Sequence, residues 1–181
     1  MQVELYSEED ILEGCRRNKR KYQEILYRKY ARKMYGICIS YTGDRDTAQD
    51  ILQDAFIKVF GKIKKFQGEG SLEGWIRKIM VNTAIDYLRK QSREPNYIAD
   101  RDEDTEESYE PDAIERLKAK DVLSLVARLP DGARMIFNLY ALEGFTHKEI
   151  AEKMNISEGT SKSQFNRARK MLMSLLNRYS A

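Results

Sequence analysis

The stretch Thr146–Leu172, THKEIAEKMNISEGTSKSQFNRARKML, decides the fold of the C-terminal part of this chain. Two residues of the type that cap helices, Thr146 and Ser157, stand eleven positions apart, each in front of a helix-forming run. Glu149 completes the pattern of a capping box with Thr146, and Asn155 tolerates the left-handed conformation of a tight turn. The stretch therefore predicts two short helices joined by a turn, which is the layout of a helix-turn-helix.

The second of these helices has one packing face and one polar, basic face. In a helix-turn-helix the second helix lies in the major groove of DNA, where Lys and Arg contact guanine or phosphate, Asn contacts adenine and Ser contacts either. The packing face consists of Ser161, Phe165, Ala168, Leu172 and Leu175. We predict that DNA is contacted by Glu158, Gly159, Thr160, Lys162, Ser163, Asn166, Arg167 and Lys170. The alternative is an ordinary solvated surface helix, because charged residues on an outer face are common.

Composition excludes several classes of protein. Cys15 and Cys38 are the only cysteines and His147 is the only histidine, so a Cys₂His₂ zinc site cannot form, and we expect no metal and no cofactor. We interpret His147 as a surface residue or a phosphate contact. The sequence has no GxxxxGK[ST] phosphate loop, no apolar run long enough for membrane insertion and no visible signal peptide. These features predict a cytoplasmic protein that is not an enzyme.

The charge of the chain is unevenly distributed. The net charge is +3, but residues 93–115 hold ten acidic residues against two arginines, which gives this segment −8 and the rest of the chain +11. A basic protein interrupted by an acidic segment is typical of polyanion binding. With Pro95 and Pro111 and no helical period, the segment is predicted to be a flexible linker between two domains, residues 1–92 and 116–181. Because no run alternates apolar and polar residues, the predicted fold is all-α.

The first domain is predicted to be a bundle of four helices. Ser7 and Asp10 resemble a capping box in front of a short helix, and apolar residues then recur at intervals of three and four from Tyr22 to Tyr41. A third helix spans Asp46 to Ile63, and a fourth begins after Ser71, the predicted N-cap that ends the loop FQGEGS.

The third helix carries a second stripe on the side opposite most of its apolar face. Asp50, Gln53, Asp54 and Ile57 follow the spacing i, i+3, i+4, i+7, which places them on one face. An apolar side chain beside two carboxylates and an amide is typical of a partner-docking face. The alternative is a solvated face with one stray isoleucine.

Basic residues flank the glycine-rich loop between the third and fourth helices. Basic side chains beside an aromatic residue can hold single-stranded nucleic acid through backbone charge and base stacking. For Phe66 and Trp75, however, core packing is the alternative, and for Trp75 it is the interpretation that we favour. The candidate DNA-binding residues of this region are Phe66, Gly68, Gly70, Ser71, Lys78, Asn82 and Arg89.

Two stretches resemble a known family. DILQDAFIKVFGKIKKFQGEGSLEGWIRKIMVNTAIDYLRK is similar to the second region of the extracytoplasmic-function (ECF) sigma factors of bacterial RNA polymerase. LPDGARMIFNLYALEGFTHKEIAEKMNISEGTSKSQFNRARKML is similar to their fourth region. The resemblance covers about residues 22–92 and 117–176, in the family's order. It implies a protein that binds core RNA polymerase and directs initiation at specific promoters.

The resemblance also implies roles for particular residues. Asp50, Gln53 and Asp54 match the stretch that docks on the clamp helices of the polymerase β′ subunit, while the fourth region implies contact with the β flap. The loop Phe66–Ser71 and the helix after it, including Asn82, match the part that captures a flipped base of the minus-ten promoter element. Residues that match readers of the minus-thirty-five element are Lys162, Ser163, Asn166 and Arg167.

This chain departs from the family pattern at two positions of the second helix of the helix-turn-helix. Ser161 stands where the family often has Val, and Gln164 stands where it often has Arg, which leaves the promoter sequence open. An anti-sigma factor is a further partner that the resemblance implies. The rival interpretation is a stand-alone helix-turn-helix regulator of transcription; a nuclease would need clustered carboxylates with helical geometry and a metal.

Overall fold

The computed structural model describes residues 6–91 and 124–179, and within those ranges every regular element is a helix, which confirms the predicted all-α fold class. The acidic segment 93–115 lies outside the described residues. The elements are α1 (Glu8–Arg16), α2 (Arg20–Thr42), α3 (Arg45–Lys62), a 3-10 turn (Ile63–Lys65), α4 (Leu72–Gln91), α5 (Asp131–Phe137), a π-helical turn (Asn138–Leu142), α6 (His147–Met154) and α7 (Glu158–Tyr179).

The chain divides into two compact units. The first comprises Met1–Ile39 with Asp44–Tyr87, and the second comprises Ser40–Gly43 with Leu88–Ala181. In both units local sequence sets where the helices begin, because the first turn of a helix leaves N–H groups that need a partner.

The first unit begins with a helix whose N-terminus is capped as predicted. The Ser7 hydroxyl accepts from the Asp10 backbone N–H, and the Asp10 side chain accepts from the Ser7 backbone N–H, which completes the capping box. At the other end of α1, Asn18 adopts a φ of 54° and lets the chain reverse into α2. Ile11 and Cys15 are buried on the inner face of α1.

Helix α3 separates an inner from an outer face in the way that its periodicity predicts. The Asp44 carboxylate accepts from the Thr47 backbone N–H at 2.7 Å and caps the helix. The inner face is almost fully buried, at exposures of 5 % or less, and consists of Ala48, Ile51, Leu52, Ala55, Phe56 and Val59. The α-helix ends at Lys62, and Ile63 begins a 3-10 turn that the sequence pattern did not distinguish from the helix.

The second unit packs α5 and α7 around one apolar cluster. Its buried members are Leu125, Val126, Leu129, Ala133, Ala168, Leu172 and Leu176, and Phe137, Met171 and Leu175 pack against them. The α-helix that begins at Asp131 gives way to a π-helical turn at Asn138. Gly144, with a φ of 76°, then ends the helical segment.

Candidate nucleic-acid interfaces

The helix-turn-helix predicted from Thr146–Leu172 is present as α6 and α7. Thr146 and Glu149 form the predicted capping box, in which the Glu149 carboxylate accepts from the Thr146 backbone N–H at 2.8 Å. Asn155 adopts the left-handed conformation, with φ 55° and ψ 50°, and makes the turn between the helices. The Ser157 hydroxyl then caps α7 by accepting from the Thr160 backbone N–H at 2.9 Å. Local sequence is therefore sufficient to define this element.

The capping box gives a testable dependence of stability on pH. Hydrogen bonds from the Thr146 backbone N–H and hydroxyl hold the pKa of Glu149 below its ordinary value. A carboxylate with a lowered pKa contributes stability above its unfolded-state pKa, and that contribution is lost as the pH falls through the folded-state value. Thermal melting between pH 7 and roughly pH 3 should therefore show a smaller acid-induced loss of stability in Thr146→Ala than in the wild type. Equal losses would contradict this role of the cap.

His147 belongs to a cluster that joins the two helices of the helix-turn-helix. Its Nδ1 lies 2.9 Å from the Ser161 Oγ, and Ser161 is fully buried in α7. The imidazole ring stacks on Tyr140 at 4.4 Å between centroids, and the Phe165 ring lies 4.5 Å from that of Tyr140. His147 is half-buried, and its ring packs the first turn of α6 against α7, a contact that the expectation of a surface residue or a phosphate contact did not include.

The polar face predicted for α7 is presented to solvent. Glu158, Gly159, Lys162, Asn166 and Lys170 are exposed, while Thr160, Ser163 and Arg167 are half-buried. Lys162 and Glu158 form an ion pair of 2.8 Å along the helix, and this pair lowers the pKa of Glu158. Since both side chains are largely exposed, the pair is weak, and a phosphate can replace the carboxylate as the partner of Lys162.

The two departures from the family pattern face inward. Ser161 is 0 % and Gln164 is 7 % exposed. Neither side chain belongs to the exposed face of α7, so these substitutions alter the packing of the helix rather than the surface that DNA would meet. The buried hydroxyl of Ser161 is satisfied by His147, as a buried polar group requires.

In the first unit, the glycine-rich loop and the start of α4 line an open pocket of about 430 Å³. Gly68 and Gly70 have φ of 80° and 81°, which side chains other than glycine rarely adopt, so the two glycines give the loop its course. At the end of the loop, the Ser71 hydroxyl accepts from the Gly74 backbone N–H at 3.0 Å and caps α4 as predicted. The pocket is lined by Lys65, Phe66, Gln67, Glu69, Gly70, Ser71, Gly74, Trp75 and Lys78.

The pocket contains some of the predicted DNA-binding residues and omits others. Phe66, Gly70, Ser71 and Lys78 line it. Gly68 belongs to the same exposed loop. Asn82 and Arg89 are exposed on α4, one and three helical turns after Lys78. These three are not among its lining residues.

The two aromatic residues of this region divide their roles in a way that the sequence pattern did not show. Phe66 is 6 % exposed, so the core interpretation holds for its side chain, although the residue also lines the pocket. Trp75 is half-buried, lines the pocket and lies 5.5 Å from the Phe66 ring, so assigning it to the core alone is wrong. A half-buried tryptophan in an open pocket is a surface on which a base can stack.

The stripe on α3 is exposed along its whole length. Asp50, Gln53 and Asp54 are exposed, and Ile57 is exposed by 69 %, which makes it one of the few large apolar side chains of the described residues that water reaches this freely. An isoleucine in that state adds nothing to the core of the unit. Its exposure leaves the side chain accessible to a partner, as both a docking surface and a solvated face require.

Comparison with known proteins identifies the family. The family model Sigma-70 region 2 matches residues 26–94, and the model Sigma-70, region 4 matches residues 119–172. The chain is 30 % identical to the ECF RNA polymerase sigma-E factor of Haemophilus influenzae over 94 % of this chain and 95 % of that protein. It is also 30 % identical to the ECF RNA polymerase sigma factor SigM of Bacillus subtilis, over 84 % of this chain and 94 % of that protein.

A solved structure of a Bartonella quintana sigma factor in complex with an anti-sigma factor aligns with a TM-score of 0.47 and 24 % identity, over 85 % of this chain and 96 % of that chain. The two matched regions and the two relatives show that this chain belongs to the sigma-70 family of RNA polymerase sigma factors. Within the family it is a sigma factor of the ECF type, which binds core RNA polymerase and directs transcription initiation from specific promoters.

Two further observations concern the described residues alone. No helix in residues 6–91 or 124–179 has both the length and the apolar character needed to span a bilayer. In the same part of the chain, no group of three or more His, Cys, Asp or Glu side chains is placed to hold a metal ion.

Proposed function

We propose that the exposed stripe on α3 is the surface through which this sigma factor docks on the clamp helices of the polymerase β′ subunit. The observation that supports it is the 69 % exposure of Ile57 on the same helix face as two exposed carboxylates. Burial of Ile57 would supply apolar contact, and Asp50 and Asp54 would meet basic side chains of the partner and fix the register of docking.

The pocket beside the glycine-rich loop is proposed to capture one base of the minus-ten element. Unstacking a base from duplex DNA costs a few kcal/mol. Stacking on an aromatic side chain such as Trp75 returns about 1–3 kcal/mol, and the exposed ammonium group of Lys78 adds attraction for the phosphate backbone. Capture would therefore offset most of the cost of opening the duplex.

The exposed face of α7 is proposed to read the minus-thirty-five element in the major groove, with the second unit also touching the β flap. The cap at Ser157 and the cluster around His147 support this role, because they hold α7 in a fixed orientation on α6. Fixed orientation matters here, since base edges are read by hydrogen bonds of defined geometry.

In this proposal the protein recognises the promoter and opens the DNA duplex, while the polymerase catalyses RNA synthesis. The site of action is the cytoplasm. The test is run-off transcription with purified core polymerase on fragmented genomic DNA, followed by mapping of start sites. A set of start sites that depends on this subunit and shares two spaced elements is expected. If the core enzyme initiated equally well without the subunit, the proposal would fail.

Replacement of Lys162 or Arg167 by alanine should weaken promoter binding by the holoenzyme by roughly 1–3 kcal/mol if the residue reads a base. Lys162 is exposed and Arg167 is half-buried on α7. Gel-shift titration of holoenzyme on a mapped promoter measures the effect. Lys153→Ala, in α6, is the control for loss of one positive charge and should bind nearly as the wild type does; unchanged affinity in the α7 variants would reject the assignment.

A further inference from the structure

A side chain of the N-terminal helix reaches the start of the glycine-rich loop. Arg16 lies in the last turn of α1, and its Nη2 donates a hydrogen bond of 2.7 Å to the backbone carbonyl of Phe66, fifty residues later in the chain. Helix α1 also packs against the 3-10 turn that precedes the loop. The contact therefore joins two segments of the first unit that are remote in sequence.

Phe66 is the residue at which the chain leaves the 3-10 turn and becomes the loop. Its backbone N–H donates to the Ile63 carbonyl at 3.2 Å, its carbonyl accepts from Arg16, and its ring is buried beside Trp75. At the far end, the Ser71 hydroxyl and carbonyl accept from the first turn of α4. Between these anchors, residues 67–70 are exposed.

We propose that Arg16 is a positioning residue for the pocket: by holding the Phe66 carbonyl, it sets the direction in which the loop starts and thus the distance between the loop and Trp75. The proposal rests on the proposed capture of a base by this pocket and adds to it a contribution from α1. A guanidinium is suited to the task, because a charged donor makes a stronger hydrogen bond to a carbonyl than a neutral donor does.

Helix α1 has other anchors that do not depend on Arg16. Ile11 and Cys15 are 1 % and 0 % exposed in the core. The Glu8 carboxylate accepts from the Tyr30 hydroxyl at 2.7 Å and from the Lys29 Nζ at 3.1 Å. Since the side chain of Arg16 is itself 35 % exposed, its removal should leave α1 in place and release the start of the loop.

The experiment compares Arg16→Met with Arg17→Met in the full chain. Arg17 is the matched control, because it is the next residue and ends the same helix. Its guanidinium pairs with the exposed Glu13 carboxylate at 2.7 Å, whereas the Arg16 guanidinium lies 3.9 Å from that carboxylate. Trp75 is the only tryptophan of the chain, so acrylamide quenching of its fluorescence reports on the pocket directly. The second readout is open-complex formation by holoenzyme on a mapped promoter, with affinity for core polymerase measured alongside.

For Arg16→Met, we expect stronger quenching of Trp75 and open-complex formation reduced about fivefold, the size that loss of one hydrogen bond would give, with unchanged affinity for core polymerase. Arg17→Met should match the wild type in all three measurements. If circular dichroism shows that Arg16→Met does not fold, Arg16→Lys replaces it, since a lysine keeps the charge but lacks the planar donor group.

Lys78→Ala separates failure of this proposal from failure of base capture, because Lys78 lines the pocket and is exposed. If Lys78→Ala lowers open-complex formation while the Arg16 variant matches the wild type, the role of Arg16 is overturned and capture stands. If Lys78→Ala has no effect, capture and the role of Arg16 are overturned together. Equal losses in the Arg16 and Arg17 variants would also overturn the positioning role, because the effect would then come from the charge of α1.

Discussion

Replacement of Asp54 by lysine is expected to weaken binding to core RNA polymerase roughly tenfold or more, equivalent to about 1.4 kcal/mol. Asp54 is exposed on the outer face of α3, and the stripe that it shares with Asp50 and Ile57 points away from the buried face of the helix. If the partner surface is basic, a lysine at this position exchanges an attraction for a repulsion, and like charges across an interface are strongly unfavourable. Titration of labelled protein with core enzyme, at two salt concentrations, measures the loss.

Two matched variants make this result specific. Glu9→Lys introduces the same change of charge at an exposed position of α1, outside the stripe, and should bind the polymerase normally. Ile57→Ser removes the apolar side chain that is exposed by 69 %, so it should weaken binding without lowering the melting temperature. Normal binding by Asp54→Lys, or equal weakening by Glu9→Lys, would count against the docking surface.

The helix starts could be predicted from sequence because the interactions that define them are local. Ser7 with Asp10 and Thr146 with Glu149 are each separated by three positions, and the structure contains both capping boxes. The same holds for Asn155, whose left-handed conformation depends only on its own residue type and on the end of the helix. Interactions that span one turn of chain are visible in a pattern of three or four residues.

Contacts between remote segments could not be predicted in this way. The pairing of His147 with Ser161 depends on how α6 crosses α7, and the placement of Trp75 in the pocket depends on where the loop brings Phe66. From residue type alone, His147 could be interpreted as a surface residue and Trp75 as a core residue, without any contact to these partners. One signal in the sequence could have indicated the contact between Ser161 and His147. The Ser161 hydroxyl lies on an apolar helix face and therefore needs a buried polar partner, and His147, the only histidine, is a candidate for that partner.

The ends of two helices could not be predicted from the sequence, for a different reason. The 3-10 turn at Ile63–Lys65 and the π-helical turn at Asn138–Leu142 continue the apolar spacing of the helices before them. Both turns change the backbone hydrogen bonding by one position without changing which residues are apolar, so hydrophobic periodicity does not distinguish them from an α-helix.

The second large effect is expected at Gly14, where α1 meets the start of α2. A Cβ atom at this position would lie 2.2 Å from the Cγ and 2.7 Å from the Cβ of Tyr22, atoms close to the backbone that rotation of the tyrosine ring does not remove. Helix α1 would have to shift outward, and overpacking of this kind costs about 1–3 kcal/mol. Gly14→Ala should therefore melt at a lower temperature than the wild type, by roughly 4–8 °C for each kcal/mol in a unit of this size.

Gly36→Ala is the control that isolates packing from helix propensity. Gly36 lies within α2, and a Cβ atom there would have no neighbour within 4 Å. Alanine favours a helix over glycine by up to about 1 kcal/mol, so this variant should be more stable than the wild type, and the same gain acts against the loss at Gly14. Opposite shifts in melting temperature for the same substitution would show that contact with Tyr22 decides the outcome. If Gly14→Ala were instead stabilised as Gly36→Ala is, α1 could not be packed against Tyr22. The position of α1 from which Arg16 donates to the Phe66 carbonyl would then be wrong, and the proposed positioning role of Arg16 would fail with it.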